Sequence, residues 1–229
     1  MRSLTIVARK GGAGKSTLAI HLAVGAHLRG RRTLLADMDP QASSLEALSH
    51  RSAPGPLVKS TNAPKLFVCL ENARRDQVED VIIDTAAGSD VERLEAIRWA
   101  DAALIVVRPT YLDIVAAAPT VEAVRRLGKP AMILLNQAPP PLNGAERPDV
   151  ARAFEALGLF GLPVSPAIIR LRRAYQLAPQ LGASVEEGTD NEAAAEMARA
   201  CEAIWKFRLD EQSHQAWRGQ AEKGLASAG

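Results

Sequence analysis

Aromatic side chains are scarce: four Phe, two Tyr and three Trp make up 4% of the 229 residues. That scarcity argues against a surface that grips nucleic acid by stacking bases on exposed rings. Cysteine is nearly absent as well. Cys69 and Cys201 stand far apart with no Cys-x-x-Cys spacing, which removes a disulfide scaffold, a zinc ribbon and an iron–sulfur cluster. Neither sign of charge dominates, since 28 basic and 26 acidic residues leave a formal charge of +2. Such a balance does not announce a nucleic-acid protein, though a local basic face stays open. No apolar run approaches the ~18 residues of a membrane span. Met1–Ala8 holds one Arg and then a strand-like run, too short for a signal peptide, so the expectation is a soluble, cytoplasmic protein. What is present is ordinary: 47% hydrophobic and 24% charged residues suit one sizeable α/β core.

Short apolar runs alternate with longer helical stretches. The runs are Leu4–Ala8, Thr33–Ala36, Leu66–Leu70, Val81–Ile83, Ala102–Val107, Ala131–Leu135 and a weaker Gly161–Val164. Most are unbroken, as in strands covered on both faces. Ser16–Arg29, Asp90–Ala100, Leu112–Leu127, Arg147–Leu157 and Asn191–Leu209 read as helices, with Gly30 and Gly128 at expected stops. Ser52–Pro64, Ala138–Pro148 and Gly182–Asp190 read as loops. This rhythm predicts an α/β fold, a doubly wound and mostly parallel sheet flanked by helices, in one domain over residues 1–209. Right-handed crossovers then collect the strand C-termini on one edge, where ligands bind. Residues 210–229 are polar and Gly/Ala/Ser-rich toward the end, and are expected to fray.

The sharpest motif is Arg9-Lys10-Gly11-Gly12-Ala13-Gly14-Lys15-Ser16-Thr17, which follows a strand and opens a helix. That is the context of a phosphate-binding loop. Glycines let successive N–H groups face a phosphate, and the helix N-terminus adds its dipole. Lys15 would reach the β- and γ-phosphates of ATP, and the Ser16 hydroxyl would coordinate Mg²⁺. Arg9 stands where the usual pattern has its first glycine, and Lys10 adds a second lysine. Two acidic strand ends accompany the loop. Asp37 and Asp39 are two apart and share a face of an extended segment. Asp80-Val81-Ile82-Ile83-Asp84 is a buried strand ending in an acid, with Asp84 placed for Mg²⁺ and Asp80 read as solvated.

Lys10-Gly11-Gly12-x-Gly14-Lys15-Ser16-Thr17 resembles the deviant Walker A motif of the ParA/MinD ATPases. The resemblance spans about residues 3–207, is specific at 10–17, 37–41 and 80–84, and loosens after 136. It is closest to compact ParA proteins without an N-terminal helix-turn-helix. It implies an ATPase that binds ATP or ADP with Mg²⁺ and forms a homodimer on ATP. Lys10 would then reach the partner's nucleotide, and the cation would stabilise charge on the γ-phosphate. The D-x-D-P-Q likeness at 37–41 ties Asp39 to hydrolysis, and Asp37 and Asp39 would both serve the magnesium shell. After Asp84 the family usually has a proline, where this chain has Thr85-Ala86-Ala87-Gly88.

Asn136, at the end of a strand, offers a donor and an acceptor to adenine. Pro166, within a segment resembling the family's I-P-R-N-V-R-L run, would by that resemblance be a second base contact. Arg108-Pro109-Thr110-Tyr111-Leu112-Asp113 resembles the Q-P-S-x-x-D loop at the family's dimer interface. By resemblance, Arg170 falls on a position used for DNA, with Arg172 and Arg173 beside it; in a dimer these charges count twice toward non-specific DNA binding. The implied output is plasmid or chromosome partition over the nucleoid, with a centromere-binding or cargo adaptor protein stimulating turnover. Three alternatives remain. One is a nucleotide-dependent scaffold or positioning ATPase for a protein cargo. The second is a MinD-like membrane ATPase, disfavoured because Glu211–Gly229 has only Trp217 and Leu225 as large apolar residues. The third is an electron carrier, which lacks its cluster cysteines. No membrane partner is expected. His21, His27, His50 and His214 have no ligand spacing and read as structural or exposed.

Overall fold

The computed structural model describes residues 1–209; the expected frayed tail and its residues 210–229 lie outside the described part. Six parallel strands form one sheet: β1 (Arg2–Val7), β2 (Thr33–Asp37), β3 (Leu57–Ser60), β4 (Asp80–Asp84), β5 (Ala102–Val107) and β6 (Ala131–Leu135). Their order is β3-β2-β4-β1-β5-β6. The helices are α1 (Lys15–Leu28), α2 (Ser43–Ser49), α3 (Ala63–Arg75), α4 (Asp90–Trp99), α5 (Tyr111–Arg126), α6 (Pro148–Gly158), α7 (Ala174–Leu177) and α8 (Asn191–Leu209). Among the described residues, no helix is long and apolar enough to cross a membrane.

Strand runs that look unbroken in sequence alternate between two apolar layers, because successive side chains leave opposite faces of the sheet. Leu104 and Leu134 join Leu18 and Leu22 of α1 and Met197 and Ile204 of α8. Ile105 and Ile133 face the other way, onto Val121 of α5 and Leu157 of α6. On the same side Leu34 and Val81 meet Leu66 and Leu70 of α3. Helix α1 is buried over most of its length because the sheet covers one side and α8 the other. Each fully buried Leu or Ile stabilises the fold by about 1.5–3 kcal/mol.

Four expectations need correction. Leu66–Leu70 is helical, in α3. Asn62 caps that helix by accepting from the Lys65 N–H at 3.1 Å, and Pro64 sits in its first turn. Burial at Leu66, Leu70 and Ala73 follows a helical stripe, while Phe67 and Val68 stay exposed. The strand of this region is instead β3, inside the stretch read as a loop. It lies at the sheet's edge, and its mostly exposed residues carry no hydrophobic run to betray it. The weak run Gly161–Val164 forms only an isolated bridge from Val164 to Ile133. Asp80, read as solvated, is buried and bound by the Arg31 guanidinium.

Candidate nucleotide site

The register of the sheet builds the site. Asp37 and Asp84 are paired neighbours at the C-terminal ends of β2 and β4, and β1, which carries the phosphate loop, lies beside β4. The loop turns into α1 through Gly14, whose φ of +91° is a conformation that side chains rarely adopt. A Cβ there would also collide with Asn136 Nδ2.

Lys15 opens α1 and is 6% exposed. Burial pushes its ammonium below the ordinary lysine range, and the carboxylates of Asp84 and Asp39 draw it back only in part. Asp84 is fully buried, and both its oxygens lack a hydrogen bond. Burial pushes its carboxyl up to about 7, while the nearby Ser16 and Ser44 hydroxyls ease that shift without closing a hydrogen bond to it. A buried acid with two orphaned oxygens beside Lys15 and Ser16 is an unsatisfied anion at a phosphate loop, and a magnesium ion fits that donor set. Asp84 and Ser16 are the residues that would hold it; among the described residues no three His, Cys, Asp or Glu side chains converge to hold a metal by themselves.

Asp37 and Asp39 take different places from Asp84. Asp37 Oδ1 accepts from the Asp39 N–H at 2.9 Å and its Oδ2 from the Leu45 N–H at 3.0 Å. Both oxygens therefore brace the backbone of the β2–α2 connection, and each keeps a further lone pair for the magnesium shell expected of it. Asp39, half-buried, accepts from the Gln41 N–H at 2.9 Å and faces the Lys15 charge.

Lys10 lies on the rim, with Nζ 4.0 Å from Asp113 Oδ2. Asp113 is buried at the start of α5 and accepts from Arg108 Nε at 3.0 Å, from Arg108 Nη2 at 3.3 Å and from the Thr110 hydroxyl. Burial alone would raise this carboxyl; the Thr110 hydroxyl and the Arg108 and Lys10 charges hold it below the usual carboxylate range.

On the opposite flank, Asn136 Nδ2 donates to the Ala13 carbonyl at 2.7 Å and Gln137 Nε2 to the Gly12 carbonyl at 2.9 Å. A recess beside them is lined by Gly14, Thr17, Leu18, Ile169, Tyr175 and Gln176. Pro166 does not border it. Pro166 lies in a neighbouring hollow with Pro140, Ile168 and Glu196, so the structure separates the two expected base contacts.

The arginine cluster is largely neutralised. Arg170 donates to the Pro139 carbonyl at 3.0 Å and to both oxygens of Glu146, at 3.0 and 2.5 Å, and its side chain is only 10% exposed. Arg172 is bound by Glu196 at 2.6 Å and Glu192 at 2.7 Å. Arg173 is exposed. Arg170 and Arg172, expected at a DNA surface, each already have a carboxylate partner.

Gln137, Ser44 and Arg93 escaped the sequence reading. Arg93 is 5% exposed, pairs with Asp90 and opposes the Lys15 charge. Its signal was an arginine one turn into a helix that follows the acidic strand end. Ser44 and Gln137 carried none, because both reach the site only through the fold.

The chain is 30% identical over 221 residues to the maintenance of carboxysome distribution protein A of Gloeobacter kilaueensis, covering 95% of this chain and 96% of that one. The structure of apo McdA from Cyanothece superposes with a TM-score of 0.75 at 18% identity, over 89% of this chain and 99% of that one. The cell division ATPase MinD of Pyrococcus furiosus gives 0.71 at 19%, over 90% and 98%. The model of the CobQ/CobB/MinD/ParA nucleotide binding domain matches residues 4–200. With its phosphate loop, its buried acid at the end of β4 and this match over most of its length, the chain belongs to the ParA/MinD family of P-loop nucleotide-binding domains.

Proposed function

We propose that this chain is an ATP-hydrolysing positioning ATPase for a protein assembly, switched between monomer and dimer by its nucleotide. The observation that carries the chemistry is the orphaned Asp84 carboxylate facing Ser16 and Lys15. Lys15 and the loop N–H groups bind the phosphates, and Asp39 orients the attacking water. Magnesium, when bound at Asp84 and Ser16, supplies positive charge to the phosphate oxygens. Lys10 stands free enough on the rim, 38% exposed, to exchange Asp113 for the nucleotide of a second copy.

The protein cargo is supported by the carboxysome-distribution relative, which matches this chain almost end to end. Partition of DNA by way of Arg170, Arg172 and Arg173 draws less support, because two of the three arginines are already paired. Nucleoid association of the ATP-bound dimer stays part of the proposal, through Arg173 or another basic cluster.

Two measurements test the proposal. Purified chain with magnesium and ATP should release phosphate slowly and shift toward a dimer by light scattering; no phosphate release under any condition overturns the ATPase reading. Deletion in the host should collapse one protein assembly into clumps while plasmids and chromosomes are inherited normally. Replicon loss without any misplaced assembly reverses the choice of cargo.

A further inference from the structure

The established features of the loop leave Arg108 unexplained. It follows β5 and packs its guanidinium against the phosphate loop. Nε and Nη2 are both taken by Asp113, at 3.0 and 3.3 Å. Nη1 has no hydrogen bond among the described residues and lies 3.8 Å from where a Gly12 Cβ would stand. Gly12 has a φ of +74°, which favours glycine, and a Cβ there would stand in ordinary van der Waals contact with the guanidinium.

The direction of approach matters. Along the loop, Gly14 abuts Asn136 and the recess beside it, whereas Gly11 abuts Ala87, just beyond Asp84, and Gly12 abuts Arg108. Arg108 therefore stands on the flank away from that recess, on the same side as Lys10. Two cations, Arg108 and Lys10, share the single charge of Asp113. One positive charge is left over at the mouth of the loop. Asp113 is itself fixed by Thr110 at the cap of α5, so the guanidinium is held in place before any ligand arrives. A preorganised cation costs little reorganisation when an anion reaches it.

We propose that Arg108 is a positioning and discriminating residue whose Nη1 reaches the terminal phosphate of a nucleoside triphosphate, so that the site favours triphosphate over diphosphate. This rests on the nucleotide-binding reading above. A guanidinium suits the task because it keeps two nitrogens on Asp113 and still offers the third to a phosphate oxygen. A diphosphate ends short of that nitrogen and loses nothing when it is removed.

The test is the ratio of affinities for a non-hydrolysable triphosphate, AMP-PNP, and for ADP. Both are measured with magnesium by calorimetry, at protein concentrations where light scattering reports a monomer. Arg108→Gln should weaken AMP-PNP by about tenfold to a hundredfold, the scale of a charge-assisted contact, and leave ADP within about twofold. Arg108→Lys should recover part of the loss. A merely structural role, neutralising Asp113, would move both nucleotides and the melting temperature together and leave the ratio unchanged; that result overturns the proposal. Failure of the wild-type chain to bind ADP at all would instead overturn the nucleotide reading on which it rests. If Arg108→Gln does not fold, Asp113→Asn, which unpins the guanidinium, should lower the same ratio; an unchanged ratio there also overturns the proposal.

Discussion

Asn136 holds the phosphate loop by its backbone: its amide donates to the Ala13 carbonyl at 2.7 Å from a strand end 123 residues away. The bond is buried, so it stiffens the loop before a nucleotide arrives. Asn136→Ala leaves the carbonyl without its partner and should cost about 1–3 kcal/mol of stability, read by urea unfolding. Nucleotide affinity should fall with it. Gly14→Ala should be worse, because a Cβ meets that same amide at a φ that disfavours it.

Lys15→Ala removes the buried ammonium that would face the phosphates. Nucleotide affinity should drop by about 1.5–3 kcal/mol or more, the range of a charged hydrogen bond. Calorimetry with ATP and magnesium checks this. Unchanged affinity would remove the loop from the mechanism.

On the proposed mechanism, Asp39 and Lys10 should separate binding from turnover. Asp39→Ala should bind ATP and lose phosphate release, since the water-orienting carboxylate is gone while the loop is intact. ATP should then trap a dimer, visible by light scattering at micromolar protein. Lys10→Ala should bind ATP and remain monomeric.

His21 sets an acid limit unrelated to the nucleotide. The ring lies fully buried in α1, Nδ1 accepts from the Val185 N–H at 3.3 Å, and its edge meets the Tyr175 ring at 5.3 Å. Burial lowers its pKa to about 4. Between roughly 6.5 and 4 the unfolded chain binds a proton that the folded chain refuses, so stability is complete above that window and declines as pH falls through it. The loss should reach up to about 3 kcal/mol. His21→Gln should flatten the melting temperature between pH 6.5 and 4. A parallel acid decline in that variant would assign the effect to other groups.

Arg170 should behave as a structural residue. Arg170→Ala strips Glu146 and the Pro139 carbonyl of a shared donor and should lower stability by about 1–3 kcal/mol. Differential scanning calorimetry checks it. Lost binding to random-sequence duplex DNA at unchanged stability would restore the arginine to a DNA surface.

Motifs that combine a strand, a turn and a helix were legible in the sequence. Lys10–Thr17, Asp84 and the bounds of α8 could be read because each rests on local spacing. Leu66–Leu70 misled because a five-residue apolar run fits a buried strand as well as a helix; the Asn62 and Pro64 start signals decided it. Strand β3 escaped because an edge strand needs no apolar run. The pairing of Asp37 with its own loop, and of Arg170 with Glu146, depends on which chain segments the fold brings together. Spacing carries no trace of that.

The two borders of the sheet limit how copies of this chain can join. β3 is four residues long and carries Lys59, with its side chain turned toward Asp76, and beyond β6 the backbone is bridged by Val164 and Arg170. A short, charged border and an occupied one both resist strand addition. Growth by joining sheets edge to edge is thus disfavoured, and the pairing proposed above would use the C-terminal ends of the strands, beside the phosphate loop. Copies that meet there through the same face close on themselves as a pair and stop, whereas unlike faces would propagate a fibre. On the proposed switch, the size of the assembly would follow the occupancy of the loop.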